Sequence, residues 1–275
     1  MPNLRIVHDN AADRAAVAAS TTAGGMVAAN VQNEQKSSVH RSVGRSVSYT
    51  LTWGDFETVA GVALPACNLS SSATIRVRAY DAAAGGALLV DTGAKYACPG
   101  PPLGMFDWTG PINANAFPRG IAAKGSIWFE HVAAKRVQID LDDPTNAAAY
   151  LDVARIVCGG YFEVQYNPAY GADSQVIDTT KTARAQSGDL RVDRGTMHDA
   201  LRLDLSWVSR PDAARLRRIQ LENGLYRSVF ASLYPESDDP LAEQRGMVYG
   251  KFKQLAGLPH IQPELFSSQL EIEGW

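Results

Sequence analysis

Strict alternation of side-chain character constrains this chain more than any motif in it. Across Ser46–Trp53, SVSYTLTW, the apolar Val47, Tyr49, Leu51 and Trp53 fall on one side of an extended backbone and Ser46, Ser48, Thr50 and Thr52 on the other. That period of two predicts a strand buried on one face. Thr74–Tyr80 repeats it, with Ile75, Val77 and Ala79 inward and Thr74, Arg76, Arg78 and Tyr80 outward. So do Val137, Ile139 and Leu141 against Gln138 and Asp140, and Leu201, Leu203, Leu205 and Trp207 against Arg202, Asp204 and Ser206. Val62 and Leu64 share a face before Pro65, and the adjoining NLSSS supplies side chains that bond their own backbone, so a turn is expected there.

The rest of the chain sorts around these strands. Residues 1–45, rich in Ala, Ser and Thr, show weak periodicity and read as extended chain on a domain surface, with one helical turn at Asp13–Ala19. Residues 91–125 carry Pro and Gly at a density that predicts long loops and no central strand. SIWFEHV, RVQIDLDD and the run from Tyr150 to Val164 read as further strands, and Gly159-Gly160 as a domain end. After "HDALRLDLSWVS", Ser209 and Asp212 have capping-box spacing and Pro211 suits a first turn. Ala213, Leu216 and Ile219 form an apolar stripe that Gly224 stops, which predicts a helix over 211–223. Three more strands are expected beyond it. The expected fold is mainly β: residues 1–160 an N-terminal jelly-roll β-sandwich with an extended leading segment, residues 161–275 a C-terminal β domain with one crossing α-helix.

Charge and composition narrow the function classes. With 26 Lys and Arg against 29 Asp and Glu the net charge is −3, a poor match to a phosphate backbone, so no nucleic-acid partner is expected. No run of about 18 apolar residues occurs, so no membrane insertion is expected, and MPNLRIVHDNAADRAAV lacks a signal-peptide pattern. Cys67, Cys98 and Cys158 have no CxxC spacing and read as reduced apolar fillers, a Cys67–Cys158 pairing being the minor alternative.

The motifs of acyl transfer, zinc proteolysis, nucleotide binding and EF-hands are missing, and no cofactor, metal or catalytic role is assigned. His8, His40, His131, His198 and His260 are scattered, and Glu130 and His131 are strand neighbours that point to opposite faces. Asp140, Asp142 and Asp143 have the chemistry of a calcium site, but the adjoining Pro144-Thr145-Asn146 favours a polar turn. Arg215, Arg217 and Arg218 read as a solvated face or as salt bridges to a neighbouring subunit. Tyr80, Phe106 and Trp108, in or near loops at one end of the sandwich, are the candidate glycan-stacking residues, set against the packing of a Pro-rich loop onto its own domain, as for Trp128 and Phe129.

With the strands placed, SVGRSVSYTLTW, GVALPACNLSSSATIRVRAYD and KRVQIDLDDPTNAAAYLDVARIVCGGYF together resemble the galactose-binding-like jelly roll of bacteriophage and prophage tail proteins. His40-Arg41-Ser42 stands where that family has an aromatic before Arg-Ser. Gly188–Glu236 is similar to the C-terminal part of distal-tail-like tail-tip proteins, where a strand–helix–strand unit serves ring assembly. The resemblance implies a virion structural protein of the tail tip or baseplate, made in the bacterial cytoplasm. It would form a homo-oligomeric ring beside tail-tube, hub and tape-measure proteins, with a host cell-surface glycan as a further partner. On that reading Leu201–Trp207 and Gln269–Ile272 are edge strands that pair with a neighbouring copy, and Leu201, Leu203, Arg215 and Arg218 form the assembly interface. Two rivals stand beside it: a free carbohydrate-binding accessory module, and a polysaccharide hydrolase, which needs two carboxylates about 5–10 Å apart.

Overall fold

The computed structural model describes residues 2–100, 123–169 and 171–275. The chain divides into two compact units: Met1–Val164 with Val229–Met247, and Gln165–Ser228 with Val248–Trp275. Residues 229–247, grouped with the second domain on sequence, thus return to the first unit. In chain order the strands begin with β1 (Arg5–Val7), β2 (Ala16–Ala19), β3 (His40–Arg41), β4 (Ser46–Cys67), β5 (Thr74–Tyr80), β6 (Leu88–Asp91) and β7 (Lys95–Tyr96). Then come β8 (Ala123–Asp142), β9 (Asp152–Val153), β10 (Val157–Gly159), β11 (Phe162–Glu163), β12 (Asp173–Asp178), β13 (Lys181–Arg184), β14 (Leu190–Asp193) and β15 (Met197–Ser209). Helix α1 (Arg210–Asn223), β16 (Val229–Ser232), helix α2 (Pro240–Arg245), β17 (Met247–Phe252), β18 (His260–Gln262) and β19 (Leu265–Gly274) complete the chain.

One antiparallel ladder organises the first unit. β4 and β8, of 22 and 20 residues, pair from Ser46 opposite Asp142 to Cys67 opposite Ala123. Register shifts between Thr52 and Glu57, Val59 and Gly61, and Leu64 and Cys67 bend it. Both of its ends feed the same buried cluster: Val47, Tyr49, Leu51, Val137 and Ile139 from one, Val59, Val62, Leu64 and Ile127 from the other. The two layers of the sandwich are therefore built from the same two strands. SIWFEHV and RVQIDLDD, read separately on sequence, are continuous here. β5 pairs with β8 and buries Ile75, Val77 and Ala79 as their alternation requires. β2 flanks β4 on the side away from β8, while β10 pairs with the far half of β4.

The N-terminal segment departs from its expected surface role. β1 lies between β11 and β16 and buries Ile6 and Val7, and Leu4 just before it is buried as well. Ala11–Arg14 is a 3-10 turn capped by Asn10, and the remainder of the expected helical turn is strand β2. Elements of three or four residues are too short to show a period, which hides them in sequence. β8 also begins inside the stretch expected to hold loops alone, and a Cβ at its Gly125 would collide with the carbonyl of Ala97, so glycine permits that close backbone approach. A second helix, α2, was not expected; it belongs to the first unit.

The second unit is an antiparallel sheet in the order β17, β19, β15, β12, crossed by α1. Ser209 Oγ accepts from the Asp212 amide at 3.4 Å, as capping-box spacing predicts. The Asp212 carboxylate accepts from the Gln165 amide instead of turning back to Ser209. Ala213, Leu216 and Ile219 are buried, and Gly224 at φ 52 closes the helix, its amide donating to the Gln220 carbonyl. β15 corrects the assembly expectation. It pairs with β12 over Met197–Arg202 and with β19 over Ala200–Ser209, and β17 adds a second partner to β19 at Ile272, so both segments lie inside a sheet, with strands on both sides at Leu201, Arg202 and Ile272. Alternation reports which face is buried and says nothing of how many strands lie alongside.

Candidate ligand cleft

The second unit contains an open cleft of 590 Å³ at a break in the β15–β19 ladder. The register shifts between Leu205 and Val208, and this bulge re-aims the side chains of β15 beyond it. Leu201, Leu203 and Leu205 point inward, then Val208 takes the next inward place. Trp207, expected on the buried side, is turned out and 48% exposed. Asp204 and Ser206 line one wall, joined by a 3.2 Å bond from Ser206 Oγ to the Asp204 carboxylate. The Asp204 carbonyl accepts from the Ala169 amide, which fixes the strand beneath.

β18 and β19 supply the rest of the lining, Gln269 lying directly beside Asp204 in the ladder. His260 pairs with Phe266, the rings stacking at 4.3 Å between centroids, and the Ser267 amide donates to the Pro259 carbonyl. These contacts hold the 254–261 loop against β19, so that Leu255 and Ile261, 52% and 45% exposed, stand beside Gln254, Ser267 and Gln269. The Ser268 hydroxyl behind them is buried without a hydrogen-bond partner among the described residues. The cleft therefore offers amide and hydroxyl groups and one carboxylate next to an aliphatic wall. Such a lining holds a ligand with an apolar C–H face and a polar rim.

The residues selected on sequence lie elsewhere. Tyr80 ends β5 half-buried, its ring 4.1 Å from the Arg136 guanidinium, which donates to the Gly85 carbonyl at 2.8 Å. One ring face is therefore occupied in holding the β5–β6 loop. Phe106 and Trp108 lie outside the described residues, as does the rest of 101–122. Leu201 and Leu203 are fully buried in the second unit, so they form no surface; a half-buried strand hides its apolar face from any partner. Arg215 is exposed, and Arg218 is paired at 2.6 Å with Glu222 one turn along its own helix. Trp128 is buried beside Arg5, Tyr161 and Phe230, as a packing residue.

The acidic cluster has the geometry of a turn. Asp143 is buried and accepts from the Ser70 amide at 2.8 Å, Ser70 Oγ at 2.6 Å and Asn146 Nδ2 at 3.0 Å. Burial raises the pKa of Asp140, but bonds from Ser48, Gln138 and Arg78 outweigh it and hold the carboxyl below its usual range. No group of three His, Cys, Asp or Glu side chains among the described residues is placed to hold a metal ion. His40 is buried and shares a 2.7 Å hydrogen bond with the Tyr49 hydroxyl; desolvation lowers its pKa. The thiol nearest Cys67 is that of Cys98, at 3.9 Å, and not that of Cys158.

The cleft escaped the sequence reading because its residues carry no motif and are separated by half of the second unit. The one signal was LAGLPHIQPE, a Pro- and Gly-punctuated loop between two strands.

No family model and no curated protein matches the sequence. Among solved structures the chain is similar to a GH29 fucosidase of Ruminococcus gnavus in complex with fucose, at 13% identity and TM-score 0.39, covering 56% of this chain and 27% of the fucosidase. It is similar to chitosan-binding module 1 from a chitosanase/glucanase of Paenibacillus sp. IK-5, at 15% identity and TM-score 0.38, covering 56% of this chain and 100% of the module. It is also similar to CBM32-3 from a family 31 glycoside hydrolase of Clostridium perfringens, at 13% identity and TM-score 0.40, covering 54% of this chain and 92% of the module.

Proposed function

We propose that the chain is a non-catalytic carbohydrate-binding protein whose second unit holds a polyhydroxylated ring in the cleft. The observation that carries this reading is the polar set Asp204, Gln254, Ser267 and Gln269, which lines the cleft together with Leu255 and Ile261. A sugar presents hydroxyls that both donate and accept around a ring whose C–H face is apolar, and this lining matches both properties. Asp204 accepts from ligand hydroxyls, the two glutamines donate to and accept from others, and the aliphatic wall covers the C–H face. A glycan array read with the full chain, followed by calorimetry on any positive sugar, tests it. Asp204→Ala is expected to weaken binding about tenfold or more, since a hydrogen bond to a charged acceptor contributes about 1.5–3 kcal/mol. Gln269→Ala is expected to weaken it a few-fold. A blank array, or a sugar held equally well by both variants, rejects the cleft.

A second reading is favoured by a separate observation. β13 and β14 form a two-stranded ribbon whose residues are all exposed and whose outer edges are unpaired among the described residues. Free edges of that kind suit a subunit of a larger assembly, such as a tail-tip ring in a virion, with the tail-tube, hub and tape-measure proteins as neighbours. Light scattering on the purified chain discriminates: a ring appears as a discrete oligomer larger than a dimer, and a free accessory module does not.

A further inference from the structure

We propose that β14 is the pairing edge of a symmetric dimer, each copy setting its Arg191 opposite the other copy's Asp193. The proposal is independent of the cleft and of any sugar.

Within one chain the ribbon pairs Lys181 with Asp193, Thr182 with Val192, Ala183 with Arg191 and Arg184 with Leu190. Val192 is 60% exposed and Leu190 nearly as much. Two strands of four residues are marginal in water, and an unpaired edge is a template for another strand. Four strands of the second unit, β12, β13, β14 and β18, have a free edge among the described residues, and β18 (His260–Gln262) carries no Asp, Glu, Lys or Arg. Their charges decide which can meet itself. β12 carries charge of one sign only, Asp173 and Asp178, and so does β13, Lys181 and Arg184, so neither can set opposite charges against its own copy in any register. β14 behaves differently. Turned about Val192, its Arg191 meets Asp193 and its Asp193 meets Arg191, two opposite-charge pairs from one two-fold operation.

The resulting sheet of four strands is consistent on both faces. Residues directly opposite share a face, so one row runs Lys181, Asp193, then the second copy's Arg191 and Ala183, with charges alternating in sign. The other face brings Val192 of each copy together between the two Thr182 side chains and covers apolar surface that each chain alone leaves in water. A ladder this short predicts association in about the micromolar range, at the small end of specific interfaces.

Sedimentation equilibrium of the full chain, from about 1 to 200 μM, reads the dissociation constant across that range. The wild type is expected to dimerise. Arg191→Asp sets acid against acid at both positions, and Asp193→Arg sets base against base, so each alone is expected to weaken association about tenfold or more. An equimolar mixture of the two variants restores an acid opposite a base at both positions and is expected to recover dimers. Both sites are exposed, and circular dichroism of each variant checks that the fold is kept. A wild type that stays monomeric, a dimer that neither variant weakens, or a mixture that associates no better than its components each overturns the assignment.

Discussion

Glu243 gives the sharpest test of the packing of the first unit. It sits in α2, partly exposed, and its carboxylate accepts from the Glu236 amide at 3.2 Å. Burial pushes its pKa from 4.5 to about 7, against that backbone bond and with added repulsion from the Glu236 carboxylate. A raised value means that the fold holds the proton more tightly than the unfolded chain does. The stabilisation is complete below pH 4.5 and is lost as the pH rises through about 7, where a half-buried carboxylate must ionise. The full shift corresponds to about 3 kcal/mol at about 1.4 kcal/mol per unit, which solvent access to the group reduces to about 1–2 kcal/mol. Glu243→Gln keeps the acceptor for the Glu236 amide and cannot ionise. Urea unfolding at pH 8.5 is expected to show the variant more stable by that amount, and at pH 4 to show the two within a few tenths of a kcal/mol. A variant less stable at pH 8.5, or a difference that does not change with pH, refutes the reasoning.

Buried groups elsewhere in the first unit give two more expectations. Arg155 is 1% exposed and donates to the Asp13 carboxylate at 2.7 Å, so Asp13→Ala strips that carboxylate from a buried guanidinium and is expected to cost about 3 kcal/mol. Arg155→Met removes the buried charge itself and is expected to cost less in the same urea titration; the reverse order contradicts the account. Burial pushes the Cys158 thiol up to about 12, and Cys67 and Cys98 are also buried, so none of the three is expected to react with a thiol reagent at pH 8 until urea is added. Refolding in glutathione disulfide is expected to oxidise Cys67 and Cys98 to one disulfide, with two glutathiones released and Cys158 left free; peptide mapping that found Cys158 in the bridge would count against the 3.9 Å approach.

The fold was legible where one face of a strand is buried for five residues or more. Ile75, Val77 and Ala79 in β5, and Ser209 with Gly224 at the ends of α1, lie as their spacing requires. Legibility failed for three physical reasons. The bulge after Leu205 shifts the inward place from Trp207 to Val208, and nothing in LSWVS marks the irregularity. The continuity of β4 with β8 depends on pairing partners far apart in the chain, which local periodicity does not report. The cleft joins Asp204 to Gln254 and Gln269 through folding alone, and Tyr80, chosen for its ring, spends one face on Arg136.

The shared β4–β8 ladder also shapes how the sandwich comes into being. Its nearest partners, Cys67 and Ala123, are 56 residues apart, and Ser46 and Asp142 are farther still. Closing loops of that length costs entropy before any neighbouring contact returns it, so assembly of this unit belongs to the slow regime of non-local topologies, on the order of milliseconds to seconds. Because both sheets draw on the same two strands, neither has an intermediate of its own to rest in. The sandwich condenses as a whole.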